Sequence, residues 1–423
     1  MGHCVKMVRR VVIVGGGVIG LCTAYYSAMC GHRVTLIDRN PQQRDGCSFG
    51  NNGMIVPSHF VPLAAPGMVA LGLKWMWNPE SPFYIKPRLN WELLDWGFKF
   101  WSAANASHVC RSAPLLRDLQ MASRGCFEDL SALPDLDFGL SQRGLLMLCK
   151  TQHGLDDEAR MAGIANGLGI PAEVLDSKEV VVREPNVRMD IAGAVFYPKD
   201  CHLSPSRLMD GLLAQCEAMG VQFRWQTDVT GFKFEANRIA AATTSNDEIA
   251  GDEFMLCGGV WSSLITRSLD LNLPMQAGRG YSLTLPKPRQ LPKICSIFTE
   301  ARVAVTPIGE ALRFGGTMEL VGLNEGVNPA RVRGIIKSVP NYYPEFVPDD
   351  FNGIESWSGL RPCSPDGLPY IGRTARFSNL SIATGHAMMG LSLAPITGKL
   401  MAELLCDKKP SIDLNQLSPD RYT

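Results

Sequence analysis

The stretch Val11-Val12-Ile13-Val14-Gly15-Gly16-Gly17-Val18-Ile19-Gly20, read on to Arg33-Val34-Thr35-Leu36-Ile37-Asp38, decides the fold. Val11 to Val14 is a short β-branched run of the kind that fills a buried parallel strand. Gly15, Gly17 and Gly20 follow at Gly-x-Gly-x-x-Gly spacing. A helix is predicted from Val18 to Met29, with a stop at Gly31 and a second strand from Arg33 to Ile37. The first glycine permits a tight turn, the second lets a pyrophosphate approach the backbone, and the third lets helix pack on strand. Val18 and Ile19 open the helix, where unpaired N–H groups and the positive end of the dipole favour phosphate. Asp38, with Arg39 beside it, closes the second strand 23 residues after Gly15. A carboxylate there accepts from a ribose diol and disfavours a 2′-phosphate. Strand, helix, strand and acid in register predict a dinucleotide site; a glycine turn without ligand is the alternative.

The same glycines settle a second question. Lys6, Arg9 and Arg10 precede an apolar run from Val11 to Cys30 that superficially resembles a secretory leader. Gly15, Gly16, Gly17 and Gly20 interrupt it too densely for a helical leader. No other run reaches 18 uninterrupted apolar residues, so no membrane span is expected. Lys+Arg and Asp+Glu both total 41, a balance that argues against nucleic acid as the main partner. The 13 cysteines show no Cys-x-x-Cys and the seven histidines no His-x-x-x-His. No metal site is expected, and the cysteines read as small buried hydrophobes in a reducing, cytoplasmic compartment.

Three later segments separate FAD from NAD. Cys47-Ser48-Phe49-Gly50-Asn51-Asn52-Gly53-Met54 follows the second strand and brings small and amide residues (Ser48, Asn51, Asn52, Gly53, Met54) that could line a flavin. Glu253 to Trp261 reads as a later strand running into a turn, with Gly258, Gly259 and Trp261 near the cofactor; an ordinary strand-to-helix turn is the alternative. Leu380 to Ala383 reads as a strand, followed by Gly385, His386, Met389, Gly390, Leu391 and Ser392 at the start of a helix to about Leu405. A glycine-rich helix N-terminus stabilises negative charge on a reduced flavin. A cofactor held by both ends of the chain suits FAD better than NAD.

Together these segments resemble the D-amino acid dehydrogenase family, within the FAD-dependent D-amino acid oxidase and glycine oxidase class. The matching motifs are Ser48 to Gly53 continuing to Pro62-Leu63-Ala64-Ala65-Pro66-Gly67, then Gly280-Tyr281-Ser282-Leu283-Thr284. The most specific is Gly359-Leu360-Arg361-Pro362-Cys363-Ser364-Pro365-Asp366-Gly367 with Pro369-Tyr370-Ile371-Gly372. The resemblance implies that Arg361 grips a substrate carboxylate, that Tyr281 lies over the substrate side of the flavin, and that Val229 offers its backbone to the adenine. It also places Gly359 and the Gly385-His386 segment at the cofactor. Cys47 stands where relatives often have Thr, and Ser58 to Leu63 and Cys201 to Pro205 also depart from the pattern, which bears on side-chain preference.

Each candidate has a plainer reading. Arg361 is a carboxylate clamp or a structural ion pair. Tyr281 is a pocket residue or a core aromatic. His386 is a flavin contact or a satisfied structural histidine, and His59, just after the flavin loop, enters the pocket or does not. Leu73 to Trp101 carries Trp75, Trp77, Trp91, Trp96 and Trp101 with interleaved Lys74, Lys86, Arg88 and Lys99. That stretch is either a helical subdomain on the core or a peripheral contact with the inner face of a membrane.

The fold expected is α/β, a Rossmann-like FAD-binding domain (1–58, 194–268 and 354–423) interleaved with a substrate domain (59–193 and 269–353). Short alternating runs at Tyr281–Leu285 and Val303–Thr306 suggest an antiparallel sheet in the latter. The reaction expected is oxidative deamination of a D-amino acid by hydride transfer to flavin N5, giving an imino acid and then a 2-oxo acid. Oxidation of D-proline, hydroxy-D-proline, sarcosine or glycine is the nearest alternative, and a flavin-carrying electron-transfer subunit the more distant one. Quinone and oxygen both stay open as electron acceptor.

Overall fold

The computed structural model describes residues 8–76, 78–86, 88 and 90–423; Lys6 and Trp77 lie outside the described residues. The first strand, Arg10–Val14, is buried from Val11 to Val14. It pairs in parallel with Arg33–Ile37 on one side and Glu253–Leu256 on the other. The sheet extends to Gln222–Arg224 beyond Arg33–Ile37 and to Leu380–Thr384 beyond Glu253–Leu256. Tyr370–Arg373 closes the far edge as the one antiparallel member. All six strands lie within 1–58, 194–268 and 354–423.

The helix Val18–Met29 has the predicted bounds. Its apolar residues run round more than one face because it is covered on two sides, by the sheet and by the helix Gly390–Leu405. Gly398 makes that crossing close: a β-carbon there would stand 2.5 Å from the Cys22 carbonyl carbon. The helix Ala106–Ser131 packs on the same side, where the Ser123 hydroxyl donates to the Ser392 carbonyl at 2.6 Å. Cys22, Cys126, Cys216 and Cys257 fill this core as thiols.

A second sheet runs in the order Ser356–Cys363, Gln276–Leu285, Ala311–Leu320, Val303–Ile308, Cys295–Phe298, Leu145–Cys149, Gly193–Tyr197, Glu173–Asp176, with Phe83–Ile85 beside Ala311–Leu320. Most of its pairs are antiparallel. Leu145–Cys149 with Cys295–Phe298, and Phe83–Ile85 with Ala311–Leu320, are parallel. Alternation gives the sheet two faces. One carries Tyr281, Leu283, Val303, Val305 and Phe314 under the helix Pro329–Tyr342. The other carries Gly280, Met318, Arg361 and, further along, Met147 and Val195, and it turns toward the loop that contains Met54, Val56 and Phe60.

The boundaries at 194 and 354 do not follow the strands. Residues 194–197 of the strand Gly193–Tyr197, and all of Ser356–Cys363, grouped by those boundaries with the dinucleotide unit, hydrogen-bond in the second sheet. Composition could not show this, since a buried strand reads alike in either sheet.

Candidate active site

A long cleft opens at the carboxyl ends of the parallel strands, where ligands of open α/β sheets sit. Gly15, φ +112°, turns the chain there, and a β-carbon on it would stand 2.5 Å from the Cys257 carbonyl oxygen. Gly20 does not line the cleft. It lets the helix settle on the turn, with a β-carbon position 1.8 Å from the Gly15 carbonyl oxygen. Gly15, Gly17, Val18 and Ile19 line the cleft, and the Ser48 hydroxyl accepts from the Val18 N–H at 3.0 Å.

At one end of the cleft Asp38 accepts from the N–H groups of Gly16 at 2.6 Å and Asn40 at 2.8 Å. A carboxylate has further lone pairs, so this engagement orients the acid without exhausting it. Arg39 stacks on Trp261 at 4.0 Å, and Val229, Gly258 and Gly259 line the same end. Arg44, which the sequence reading passed over, stacks on Trp225 at 4.4 Å and hydrogen-bonds the Gly16 carbonyl. Its position in a polar run between strands carries no signal in a single sequence.

At the other end stand Ser48, Asn51, Arg361, His386, Gly390 and Leu391. The Arg361 guanidinium donates from Nη1 to the Thr317 carbonyl at 2.6 Å, and among the described residues no carboxylate pairs with it. Burial lowers its pKa from the ordinary value. Thr317 presents that carbonyl from a left-handed backbone, φ +70°, uncommon for a β-branched residue. His386 is fully enclosed; its Nε2 meets the Thr397 hydroxyl at 3.0 Å, while Nδ1 has no partner among the described residues. Burial pushes its pKa down to about 3, so the ring is neutral.

Several expected contacts lie elsewhere. Tyr281 is a core residue: 1% exposed, it donates to Glu319 and accepts from the Asn328 N–H at 3.2 Å. Glu319 is in turn held by Arg279 at 2.9 Å and Arg331 at 3.1 Å, so the phenol completes a buried ion cluster on the sheet face away from Arg361. His59 is not among the cleft-lining residues; its Nδ1 lies 3.1 Å from the Ser58 hydroxyl, and burial lowers its pKa to about 4. Ser58 also donates its N–H to Asp200 at 3.0 Å, and burial raises that acid to about 7.

Asn52 turns to the second sheet, donating to the Ala304 carbonyl at 2.9 Å. Gly53, Met54 and Met389 pack in the interior beside the cleft; Gly53 lies against Leu203 and Met54 pairs with His202. Ser392 accepts from the Val56 N–H at 3.0 Å and donates to Gln120 at 2.5 Å, which ties loop to helices. Gly359 lies under the Trp357 ring, and Gly385, φ +78°, against the Tyr370 ring. These residues shape the cleft walls from behind.

The aromatic stretch divides. Trp96 is 4% exposed and donates to the Cys363 carbonyl at 2.9 Å, whereas Trp91, Phe98 and Trp101 are 86%, 66% and 64% exposed. Lys99 is paired with Asp95. Among the described residues no helix is long and apolar enough to cross a membrane.

The cleft tests well for a dinucleotide with a flavin-sized second half. It offers a glycine turn no side chain could share, an acid at one end, and an orphaned buried imidazole nitrogen at the other. Comparison with known proteins agrees. A family model described as FAD dependent oxidoreductase matches residues 10–404. The chain is 31% identical to a D-amino acid dehydrogenase of Bradyrhizobium diazoefficiens, over 98% of this chain and 99% of that one. It is 32% identical to a D-amino acid dehydrogenase of Methylobacterium nodulans at the same coverage. A glycine oxidase from Geobacillus kaustophilus superposes with TM-score 0.78 at 23% identity, over 98% of this chain and 100% of that one. The L-proline dehydrogenase from P. horikoshii does so at 0.75 and 17%, over 99% and 98%.

Proposed function

Because the chain belongs to the family of FAD dependent oxidoreductases matched over residues 10–404, we propose that it oxidises the Cα–N bond of a D-amino acid to an imine, which water converts to a 2-oxo acid and ammonia. The observation that carries this reading is Arg361, a guanidinium at the cleft with no acidic partner among the described residues. A planar fork without a counter-ion is suited to a carboxylate in bidentate fashion. Thr317 fixes its orientation from one side, leaving other N–H groups for the ligand.

FAD, when bound, supplies the two-electron acceptor. The residues bind and orient. Gly15, Gly17, Val18 and Ile19 take the pyrophosphate; Asp38, Arg39, Val229, Gly258, Gly259 and Trp261 take the adenosine end; Ser48, Asn51, His386, Gly390 and Leu391 border the ring system. Arg361 holds the carboxylate, so that the Cα–H faces one way and the amine, as free base, donates electron density. A neutral His386 neither repels that amine nor protonates it. We assign the substrate unit to the strands of the second sheet, Gly193–Tyr197 and Ser356–Cys363 included.

The exposed Trp91, Phe98 and Trp101 favour peripheral contact with a membrane surface, and with it a membrane quinone over oxygen as electron acceptor. The buried thiols favour a reducing, cytoplasmic location.

Turnover with an artificial acceptor tests the substrate class, using D- and L-amino acids, glycine, sarcosine and D-proline. Ammonia and 2-oxo acid from D-amino acids, with little from their L-forms, are expected. Turnover of glycine or sarcosine alone would move the assignment to those amines. Sedimentation with anionic lipid vesicles, lost in a Trp91→Ser, Phe98→Ser, Trp101→Ser variant, tests the membrane contact.

A further inference from the structure

Three successive carbonyls in the loop bordering the ring-system end of the cleft are held by side chains of the second sheet. Arg313 donates from Nη1 to the carbonyls of Phe49, at 3.1 Å, and Asn51, at 2.6 Å. The carbonyl between them, Gly50, accepts from the Ser282 hydroxyl at 3.0 Å. Arg313 is itself aimed by Thr284, whose hydroxyl accepts from Nε at 3.0 Å. In a planar trans peptide the C=O of one residue and the N–H of the next point in opposite directions. Carbonyls drawn to the sheet at 49, 50 and 51 therefore turn the N–H groups of Gly50, Asn51 and Asn52 away from it. None of the three has an acceptor among the described residues. Phe49 and Asn51 line the cleft, so N–H groups turned away from the sheet along this loop are available to it as donors.

Arg313 also brings charge. It is part-buried, and among the described residues no carboxylate pairs with it. Burial lowers its pKa to about 10, which leaves it cationic at neutral pH. A cation behind a row of N–H donors, without an acid to cancel it, favours negative charge on whatever lies across the loop.

We propose that Arg313 and Ser282 are positioning residues for the flavin: they turn the N–H groups of Gly50, Asn51 and Asn52 toward the ring system, and the Arg313 charge raises its reduction potential. This rests on the FAD reading above and adds to it a link from the substrate sheet to the electronics of the cofactor. The flavin site would then be complete only with that sheet docked.

The test compares purified flavin-loaded wild type with Arg313→Met, Arg313→Lys and Ser282→Ala. The readouts are the midpoint potential, the visible flavin spectrum and FAD retention. Arg313→Met is expected to shift the potential to a more negative value and to weaken FAD binding about tenfold or more, since two hydrogen bonds to a charged donor are lost. Arg313→Lys, which restores the charge, recovers most of the potential but less of the affinity. A residue that merely braced the fold would lower thermal stability in all variants and leave the potential where it was. Unchanged potential and retention in Arg313→Met would overturn the proposal. Should that variant fail to fold, Ser282→Ala decides: a perturbed flavin spectrum with weaker retention supports it, and wild-type values for both overturn it. Wild-type protein that takes up no FAD would remove the underlying functional reading instead.

Discussion

The Arg361 guanidinium lies over Gly280, so close that a β-carbon on the glycine would stand 2.2 Å from both of its Nη atoms. The missing side chain is what lets the cation lie on the sheet and meet the Thr317 carbonyl. Gly280→Ala is expected to push the guanidinium off this seat while the fold survives, because the displaced atoms are the end of a flexible side chain. KM for the amino acid should rise about tenfold or more and Tm should change little. Arg361→Ala goes further, with kcat/KM falling about 100-fold or more and Arg361→Lys recovering only part. Steady-state kinetics beside thermal melts separate the two effects.

Tyr281→Phe tests the reassignment of that tyrosine to the core. It removes a hydrogen bond to the buried Glu319 carboxylate, a loss of about 1.5–3 kcal/mol for a charged partner. Denaturant unfolding should show that loss, whereas KM should stay within about twofold of wild type. A selective rise in KM would return Tyr281 to the pocket.

Asp200 predicts a pH dependence of stability. Burial raises its folded-state pKa to about 7, well above the unfolded value near 3.9, so the folded protein binds the proton more tightly. The stability this gives is fully present below about pH 4 and is lost as pH rises through 7. Asp200→Asn keeps an acceptor for the Ser58 N–H and cannot ionise. Melts from pH 5 to 8 should therefore be flatter for the variant, and at pH 8 it should match or exceed wild type. Parallel curves would contradict this account of Asp200.

Gly20→Ala places a β-carbon 1.8 Å from the Gly15 carbonyl oxygen, a backbone atom that cannot step aside without moving the turn. Purified Gly20→Ala is expected to be largely free of flavin and less stable by several kcal/mol. Absorbance near the flavin bands, relative to protein, measures it.

How far the sequence reached follows from how local each feature is. The cradle was legible because turn, helix and acid are set by neighbours in the chain, and that helix has the predicted bounds from Val18 to Met29. Arg361 stood out as a charge in an otherwise apolar, tightly turning segment, and the fold is what brings it to the cleft. Tyr281 was not, since its partner Glu319 lies 38 residues away and lone aromatics read alike in pocket and core. Arg313 and Ser282 were missed for the same reason: their bonds reach back more than 230 residues to Phe49, Gly50 and Asn51. Which sheet Gly193–Tyr197 and Ser356–Cys363 join was not legible, because a strand's partner, not its composition, decides it.

Oxidation of D-amino acids gripped by Arg361 is tested most directly by adding them anaerobically to the purified protein and recording its visible spectrum. It predicts a yellow protein that D-amino acids bleach and L-amino acids do not, with bleaching at the same concentrations lost in Arg361→Ala although FAD is retained. A yellow protein that no amino acid bleaches, or an Arg361→Ala variant that bleaches as readily as wild type, would contradict it.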